Sequence, residues 1–464
     1  MRRKPFAQAP RTGPADDHQV RLLQGAEEFF PALIEAMDAA MADIQFETYI
    51  FDFTGAGATV AQALMRAAAR GVRTHLVVDG VGTGALPEAW AARLQAAGVQ
   101  YSVYSPLGPL GLLLPHRWRR LHRKLCVVDG VGTGALPKAW AEQLQAAGVL
   151  CSVYSPLGPL GLLLPHRWRR LHRKLCVVDG RVLFCGGINV LDDFHDPNHG
   201  ALEAPRFDFA VRATGSLVAS ASDTMDQLWW RMQAVRDARQ HRLPDALRAL
   251  RAASAARHAE QGGDPDAGPP VRATLVLRDN VRNRSRIEKA YRKAIGAARH
   301  EVIIANAYFM PGGKLRRALV MAARRGVRVR LLLQGRYEYF MQYHAARPVY
   351  GALLEAGVEI YEYAPSFLHA KVAVIDAQGD RPWATVGSSN LDPLSLLLAR
   401  EANVVVEDAA FAIDLRQRLV HAMQHAGRRM DPARYAGRPL RQRVLDRVAF
   451  GLMRLALWVT GKRY

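Results

Sequence analysis

Acidic residues are in short supply in this chain. Its 464 residues set 42 Asp and Glu against 63 Lys and Arg, a formal net charge of +21. A surface field of that sign attracts polyanions, either nucleic acid or an anionic membrane, and composition does not choose between them. Cysteine is scarce too. The four present, Cys126, Cys151, Cys176 and Cys185, have neither the paired C-x-x-C spacing of a metal site nor the density of a secreted disulfide scaffold. A reducing cytosol is the simplest setting. No run reaches about 18 consecutive apolar residues, which excludes a helix that spans a bilayer. Met1 to Asp17 is basic and Pro-rich but lacks the apolar stretch of a secretory signal, so export is not expected.

What is present is an ordinary globular composition, 50% hydrophobic and 23% charged. That sets aside collagen-like, mostly disordered and disulfide-stapled classes. At roughly 150 residues per domain the length predicts about three domains and more than one core.

Internal repetition is the strongest signal, and it comes in two kinds. Val81 to Gly130 recurs as Val131 to Gly180 with five differences: Glu88/Lys138, Ala92/Glu142, Arg93/Gln143, Gln100/Leu150 and Tyr101/Cys151. The tetrapeptide Val-Val-Asp-Gly stands at 77–80, 127–130 and 177–180, the boundaries at which an unequal exchange would insert one unit. A solenoid would need at least three units and atypical ends, so this is read as a tandem duplication. The second repetition is weaker and relates two halves. Ala63 to Gly80 lines up with Ala318 to Gly335, Leu144 to Pro156 with Leu353 to Pro365, and 171–179 with 368–376. Each half alternates helix, Gly and buried strand, which predicts an α/β fold of two mixed sheets flanked by helices, packed as a pseudo-twofold pair with the site between them.

The repeated ends carry chemistry. His172-x-Lys174-x4-Asp179 is followed by Gly186-Gly187-Ile188-Asn189, and His369-x-Lys371-x4-Asp376 by Gly387-Ser388-Ser389-Asn390. Alternation along a strand puts His and Lys on one face. The four extra residues of the second cassette fall in the turn-like stretch 377–382 and lengthen a hairpin tip.

Two such cassettes in homologous halves resemble the signature of the phospholipase D superfamily, H-x-K-x4-D followed by G-[GS]-x-N. The stretches QFETYIF at 45–51, RDN at 278–280, EVIIANAYFMPG at 301–312, ATVGSSNLDPLSL at 384–396 and EANV at 401–404 are similar to its bacterial cardiolipin synthase B group. The resemblance implies transfer of a phosphatidyl group between alcohols, forming cardiolipin from phosphatidylglycerol with phosphatidylglycerol or phosphatidylethanolamine as the second lipid, without metal or cofactor. It also implies anionic phospholipids at a membrane surface as partners, and a peripheral place on the cytoplasmic face of a bacterial inner membrane. The departure is the tandem unit, which gives three H-x-K-x4-D stretches where the family has two.

The residue types suit that reaction on their own terms. A phosphodiester repels nucleophiles until its oxygens are neutralised, which Lys174 and Lys371 can do together with the phosphate-binding candidates Asn189, Asn390 and Ser388. One neutral imidazole can attack phosphorus while a protonated one gives its proton to the leaving alcohol. By resemblance His172 is the nucleophile, His369 the acid and base, and Asp208 and Glu401 the carboxylates that orient them. Asp179 and Asp376 complete the motifs and are read as closing hairpins. His122, Lys124 and Asp129 of the first tandem copy lack the following G-x-x-N, so the second copy is expected to form the site.

Two segments suggest membrane contact: 156–170, an apolar run ending in Trp168 and Arg residues, and 440–464, with Val444, Val448, Leu452, Leu455 and Val459 at helical spacing among arginines. The expected boundaries are a disordered tail at 1–17, a first phospholipase D-like domain at 18–235 holding both tandem copies, a helix and linker at 236–270, a second such domain at 271–430 and a basic amphipathic tail at 431–464. The competing class is a hydrolase or nuclease acting on phosphodiesters, since +21 also suits a phosphate backbone. Nucleic acid is not the expected partner because no platform of aromatic and basic residues is evident. Oligomeric state is not legible.

Overall fold

The computed structural model describes residues 15–79, 83, 88–104, 170–196, 200–239, 271–279, 283–336, 340–393, 395 and 399–459. Its strands in chain order are β1 (Ala15–His18), β2 (Val20–Gln24), β3 (Asp43–Thr48), β4 (Arg73–Asp79), β5 (Gln100–Tyr104), β6 (Arg170–Leu171), β7 (Leu175–Val178), β8 (Val182–Gly186), β9 (His195–Asp196), β10 (Gly200–Ala201) and β11 (Phe209–Ala213) in the first half. The second half adds β12 (Val271–Arg278), β13 (Glu301–Asn306), β14 (Arg328–Gln334), β15 (Glu359–Tyr363), β16 (Lys371–Ile375), β17 (Trp383–Gly387), β18 (Ala399–Glu407) and β19 (Gly427–Arg429). The helices are α1 (Gly25–Asp38), α2 (Gly55–Ala69), α3 (Glu88–Ala96), α4 (Leu217–Arg239), α5 (Arg286–Ala297), α6 (Gly313–Arg324), α7 (Phe340–Glu355), α8 (Ala409–His425), α9 (Pro432–Ala436) and α10 (Leu440–Val459).

The same sheet is built twice. The first runs β2-β11-β8-β7-β3-β4-β5, and the second carries β12-β18-β17-β16-β13-β14-β15 in matching order, extended by β1 at one edge and β19 at the other. In both, the β3/β4/β5 or β13/β14/β15 trio is parallel and the remaining neighbours are antiparallel. The local reasons repeat as well. Gly71, Gly98, Gly326 and Gly357 follow α2, α3, α6 and α7 at φ between +85° and +90°, the left-handed stop that a glycine accepts without strain. The hairpin tip between β7 and β8 is 179–181, and that between β16 and β17 is 376–382, so the second cassette's extra residues do fall there.

Period-two alternation sorts each central strand between two cores. Leu175 and Val177 enter a core shared by both halves, together with Val372, Val374 and Val404, while Cys176 and Val178 face a separate core under α1, α2 and α3. Ala373 and Ile375 likewise join the core beneath α5, α6 and α7. The shared core is the contact layer that brings the two cassettes together.

One expected boundary moves. Ala15 to Asp17 fall in β1, which pairs antiparallel with β12 (Ala15 with Ala273, His18 with Val271), so the tail expected over 1–17 ends sooner. The edge of β12 presents unpaired backbone groups, and a passing segment of the chain satisfies them.

The two tandem copies each supply part of the first half, with one strand apiece in its sheet, β5 and β7. α3 and β5 come from the first copy, and β6 and β7 from the second. The intervening 105–169 lie outside the described residues, and with them His122, Lys124, Asp129, the apolar segment 156–169, Cys126 and Cys151.

Candidate active site

Each histidine stands just ahead of its strand, on a lead-in stitched to the opposite half. β6 pairs parallel with β18, and the His172 amide donates to the Arg400 carbonyl at 3.0 Å. In mirror fashion the His369 amide donates to the Phe207 carbonyl at 2.9 Å. A carboxyl group anchors the first lead-in and a carboxamide the second: the amide of Leu171 donates to Asp79 at 3.0 Å, and that of Leu368 to the Gln334 side-chain oxygen at 3.2 Å. Asp79 and Gln334 occupy matching places in the half-repeat seen in the sequence.

The residue after each of those accepting carbonyls is the carboxylate that meets the histidine, and the pairing is crossed. His172 Nδ1 lies 3.0 Å from both oxygens of Glu401, and His369 Nδ1 lies 2.6 Å from Asp208 Oδ2. With Nδ1–H donating to a carboxylate, Nε2 becomes the nucleophilic or proton-carrying nitrogen of each imidazole. Lys174 Nζ donates to its own His172 carbonyl at 3.0 Å, and Lys371 Nζ donates to the His369 carbonyl while sitting 2.8 Å from its Nδ1. An ammonium cannot donate to a nitrogen that already carries a proton, so this last approach is a like-polarity contact. It leaves a mark. His369 is pushed down to about 4, chiefly by burial and then by Lys371, against the pull of Asp208, with Lys174 of the other half adding to the depression. Its imidazole is neutral at pH 7 although 22% of its side chain remains open, whereas that of His172 is 4% exposed.

The Gly-rich turns explain themselves against the same carboxylates. A Cβ on Gly187 would stand 2.3 Å from Asp208 Oδ1, so only glycine fits. At the equivalent place Ser388 donates its hydroxyl to Glu401 at 2.6 Å and accepts from the Ala402 amide at 3.1 Å. Ser388, a phosphate-binding candidate by sequence, therefore spends its hydroxyl on fixing Glu401. Asn189 and Asn390 are both buried. Asn189 accepts from the Ile50 amide at 3.3 Å, which leaves its NH2 to donate, and the Asn390 side-chain oxygen has no partner among the described residues.

Asp179 and Asp376 do different work from the histidines. Asp179 accepts from the amides of Met41, Ala42 and Asp43 at 2.8, 2.8 and 2.9 Å, and Asp376 from those of Arg299, His300 and Glu301 at 2.7, 2.9 and 2.8 Å. Each stands at positive φ beyond the far end of its strand. The motif's aspartate is thus a backbone clamp, and such charged bonds contribute about 1.5–3 kcal/mol apiece.

Sequence reasoning missed four neighbours. Tyr49 places its ring edge-on to His172 at 5.0 Å, with Lys174 Nζ 5.4 Å from the same ring. Glu47 and Arg173 form a fully buried ion pair at 2.8 Å. Arg278 is buried beside Glu401, donates to the Ala399 carbonyl and has two nitrogens without a partner among the described residues; burial pulls it down to about 10. Tyr49 and Arg278 lie in stretches quoted for their family likeness, but nothing in their spacing marks them as site residues. Among the described residues no group of three or more His, Cys, Asp or Glu is arranged to hold a metal ion.

Comparison with known proteins settles the lineage. Residues 33–136 and 291–423 match the family described as "Cardiolipin synthase, PLD-like domain". The chain belongs to this family. It is 33% identical over 409 residues to cardiolipin synthase B of Salmonella typhi, covering 88% of this chain and 81% of that one, and 34% identical over 413 residues to cardiolipin synthase B of Escherichia coli K12, covering 87% and 80%. A phosphatidylserine synthase from Haemophilus influenzae shares the fold at 13% identity, with a TM-score of 0.57 over 94% of this chain and 93% of that one. The first matched stretch ends at 136 and so runs through the first tandem copy's His122, while the described site is built from the second copy's His172. Local similarity does not distinguish near-identical copies; contact with Glu401 does.

Proposed function

We propose that this protein is a phosphatidyltransferase that forms cardiolipin from phosphatidylglycerol through a covalent histidine intermediate. The observation that carries the reading is the crossed arrangement, in which both imidazoles keep Nδ1 on a carboxylate and so reserve Nε2 for the reaction. In the first step Nε2 of one neutral histidine attacks phosphorus, a P–N bond forms, and the P–O bond to the headgroup glycerol breaks with its oxygen protonated by the other imidazole. In the second, a glycerol hydroxyl of another phosphatidylglycerol gives its proton to that same imidazole and attacks phosphorus, and the P–N bond breaks. Lys174, Lys371 and the amides of Asn189 and Asn390 neutralise the non-bridging oxygens. Similarity to the family gives the attack to His172. The more open and neutral His369 supports the reverse assignment, and a bound phosphate, by offsetting the two lysines, would raise its affinity for a proton if it serves as the acid.

The same reading places the protein on an anionic membrane surface. In α10, Asp446, Ala449 and Met453 turn inward, while Leu440, Val444, Leu445, Val448 and Leu452 are 38–71% exposed among Arg441, Arg443, Arg447 and Arg454. An exposed apolar stripe flanked by arginines suits the headgroup region of a bilayer. No described helix is long and apolar enough to cross a membrane.

The test is to incubate the purified chain with labelled phosphatidylglycerol in liposomes and, separately, with single-stranded DNA. Labelled cardiolipin and free glycerol are expected from the first, in the presence of EDTA as in its absence. Cleavage of DNA without cardiolipin would replace this reading with that of a nuclease.

A further inference from the structure

Beside the cassette of the second half lies a cavity. Counted out to its open mouth it measures about 660 Å³, and its lining is mostly apolar. Phe309, Met310 and Tyr350 form part of the wall, with Tyr343 and Ala346 from α7 and Met453 from α10. The cavity borders the reaction centre: Ala307, another lining residue, donates its amide to the carbonyl of Ala370, which lies between His369 and Lys371. The matching phenylalanine of the first half is packed among aromatic rings. Phe51, the counterpart of Phe309, stacks on Phe53 at 4.5 Å, Phe53 packs on Trp90 of α3 at 5.7 Å, and Arg93 covers Trp90.

We propose that this cavity receives a fatty-acyl chain of the phospholipid whose phosphate is bound at His369, an assignment that rests on the phosphatidyltransferase reading. Two observations fix the class of guest. The polar groups around the wall are already engaged: Arg347 with Glu362 at 2.9 Å, Arg336 with the Ala364 carbonyl at 3.2 Å, the Gln334 side-chain oxygen with the Leu368 amide and Asp392 with the Ser395 amide at 3.1 Å. The rest of the wall is mostly apolar, and methylenes lose nothing by entering it. The second observation is α10 itself. Met453 on its inner face lines the cavity, while Val448 and Leu452 on its outer face belong to the exposed stripe among arginines. One helix therefore separates the cavity from the surface that suits the bilayer, so a chain leaving the bilayer at its edge has a short apolar path to the site.

The test uses the full-length chain on vesicles of phosphatidylglycerol carrying a photoactivatable diazirine midway along one acyl chain. After illumination, peptide mapping is expected to find adducts on α7 and α10 at Tyr343, Ala346 or Met453. Ala346→Phe fills the cavity. It is expected to remove those adducts and to lower kcat/KM on long-chain phosphatidylglycerol by about tenfold or more, while hydrolysis of the chain-less diester bis(4-nitrophenyl) phosphate is unchanged. Adducts confined to other surfaces, or equal losses on both substrates in a variant whose Tm is preserved, would overturn the assignment. The wild-type adducts are read even where Ala346→Phe does not fold. Failure of the parent reading looks different: no cardiolipin from the wild type on any phosphatidylglycerol, with the chain-less diester still cleaved.

Discussion

Set side by side, the two halves share one sheet order and one cassette and yet present unlike histidines. In the first half the imidazole is closed in by Tyr49, and the residue between His and Lys is Arg173, held by Glu47 in a buried ion pair. In the second half that residue is Ala370, Glu47 is replaced by Ala305 at the matching strand position, and the imidazole stays 22% exposed under the influence of Lys371. The carboxylates differ as well. Asp208 lies against a glycine turn, while Glu401 is braced by Ser388 and neighboured by Arg278, which stands where the first half has Gly25 at positive φ. Transfer through a covalent intermediate needs one imidazole neutral and the other charged. Duplication supplies two copies of the group, and divergence around them gives each its own surroundings, those of His369 lowering its affinity for a proton.

The comparison breaks first at the histidines. His172→Ala and His369→Ala should each lower cardiolipin synthesis by about 10³-fold or more, since neither role has a substitute. Mass spectrometry of rapidly quenched wild-type protein should find the phosphatidyl group on one of the two only. Label on both would mean that the halves are interchangeable.

Next come the crossed carboxylates. Glu401→Gln should impair His172 and Asp208→Asn should impair His369, each by about 10²–10⁴-fold in kcat with KM less affected, because the wrong tautomer is then favoured. The diagnostic readout is the imidazole NMR spectrum, in which each change should perturb the histidine of the other half. A perturbation within the same half would contradict the crossed pairing.

The protonation difference is sharpened by titration. His369 in the free protein should titrate near pH 4. Lys371→Met removes a positive neighbour and should raise that midpoint, whereas Asp208→Asn should lower it further. The stability consequence has a definite sign. An unfolded histidine takes up its proton near pH 6.5 and His369 only near 4, so between these values the unfolded state binds more protons and stability falls as the pH falls. Unfolding by urea at pH 7 and pH 5 should show a smaller loss for His369→Gln than for the wild type. An equal loss in both would remove His369 as a cause.

Smaller effects concern the parts that have no counterpart among the described residues of the first half or exist there twice. Truncation after Arg438 deletes α10 and should weaken sedimentation with anionic liposomes severalfold, and unchanged sedimentation would reduce α10 to a packing helix. Excision of one tandem unit is the mildest case. Removal of 105–154 keeps every described strand and leaves 155–169 to join β5 to β6, so activity and Tm should be retained or raised. His122→Ala should likewise be nearly silent. Loss of synthesis on His122→Ala with tolerance of His172→Ala would show that the first copy occupies the sheet.

Much of this fold was legible because its signals are local. Alternating strands, helices stopped by Gly71 and Gly326, the hairpin tip at 377–382 and both cassettes are written within short stretches of chain, where period and turn chemistry suffice. For Ser388, spacing gives its place in the turn but not the carboxylate that arrives from β18 to take its hydroxyl proton in a hydrogen bond. The strand at Ala15–His18 escaped notice because so short a segment carries no period, and its pairing depends on the edge of β12 in the other half of the chain.

By itself the sequence determined the chemistry available: two imidazoles, two ammonium groups and two buried amides in repeated cassettes, with a positive surface and an amphipathic end. Tertiary structure alone decided which carboxylate serves which histidine, since His172 and Glu401 are 229 residues apart and His369 and Asp208 are 161 apart. It also decided which copy's H-x-K stretch meets Glu401 and why His369 is neutral. These depend on how two similar sheets pack face to face, and burial and charge at that contact are properties of the assembled core rather than of any segment of the chain.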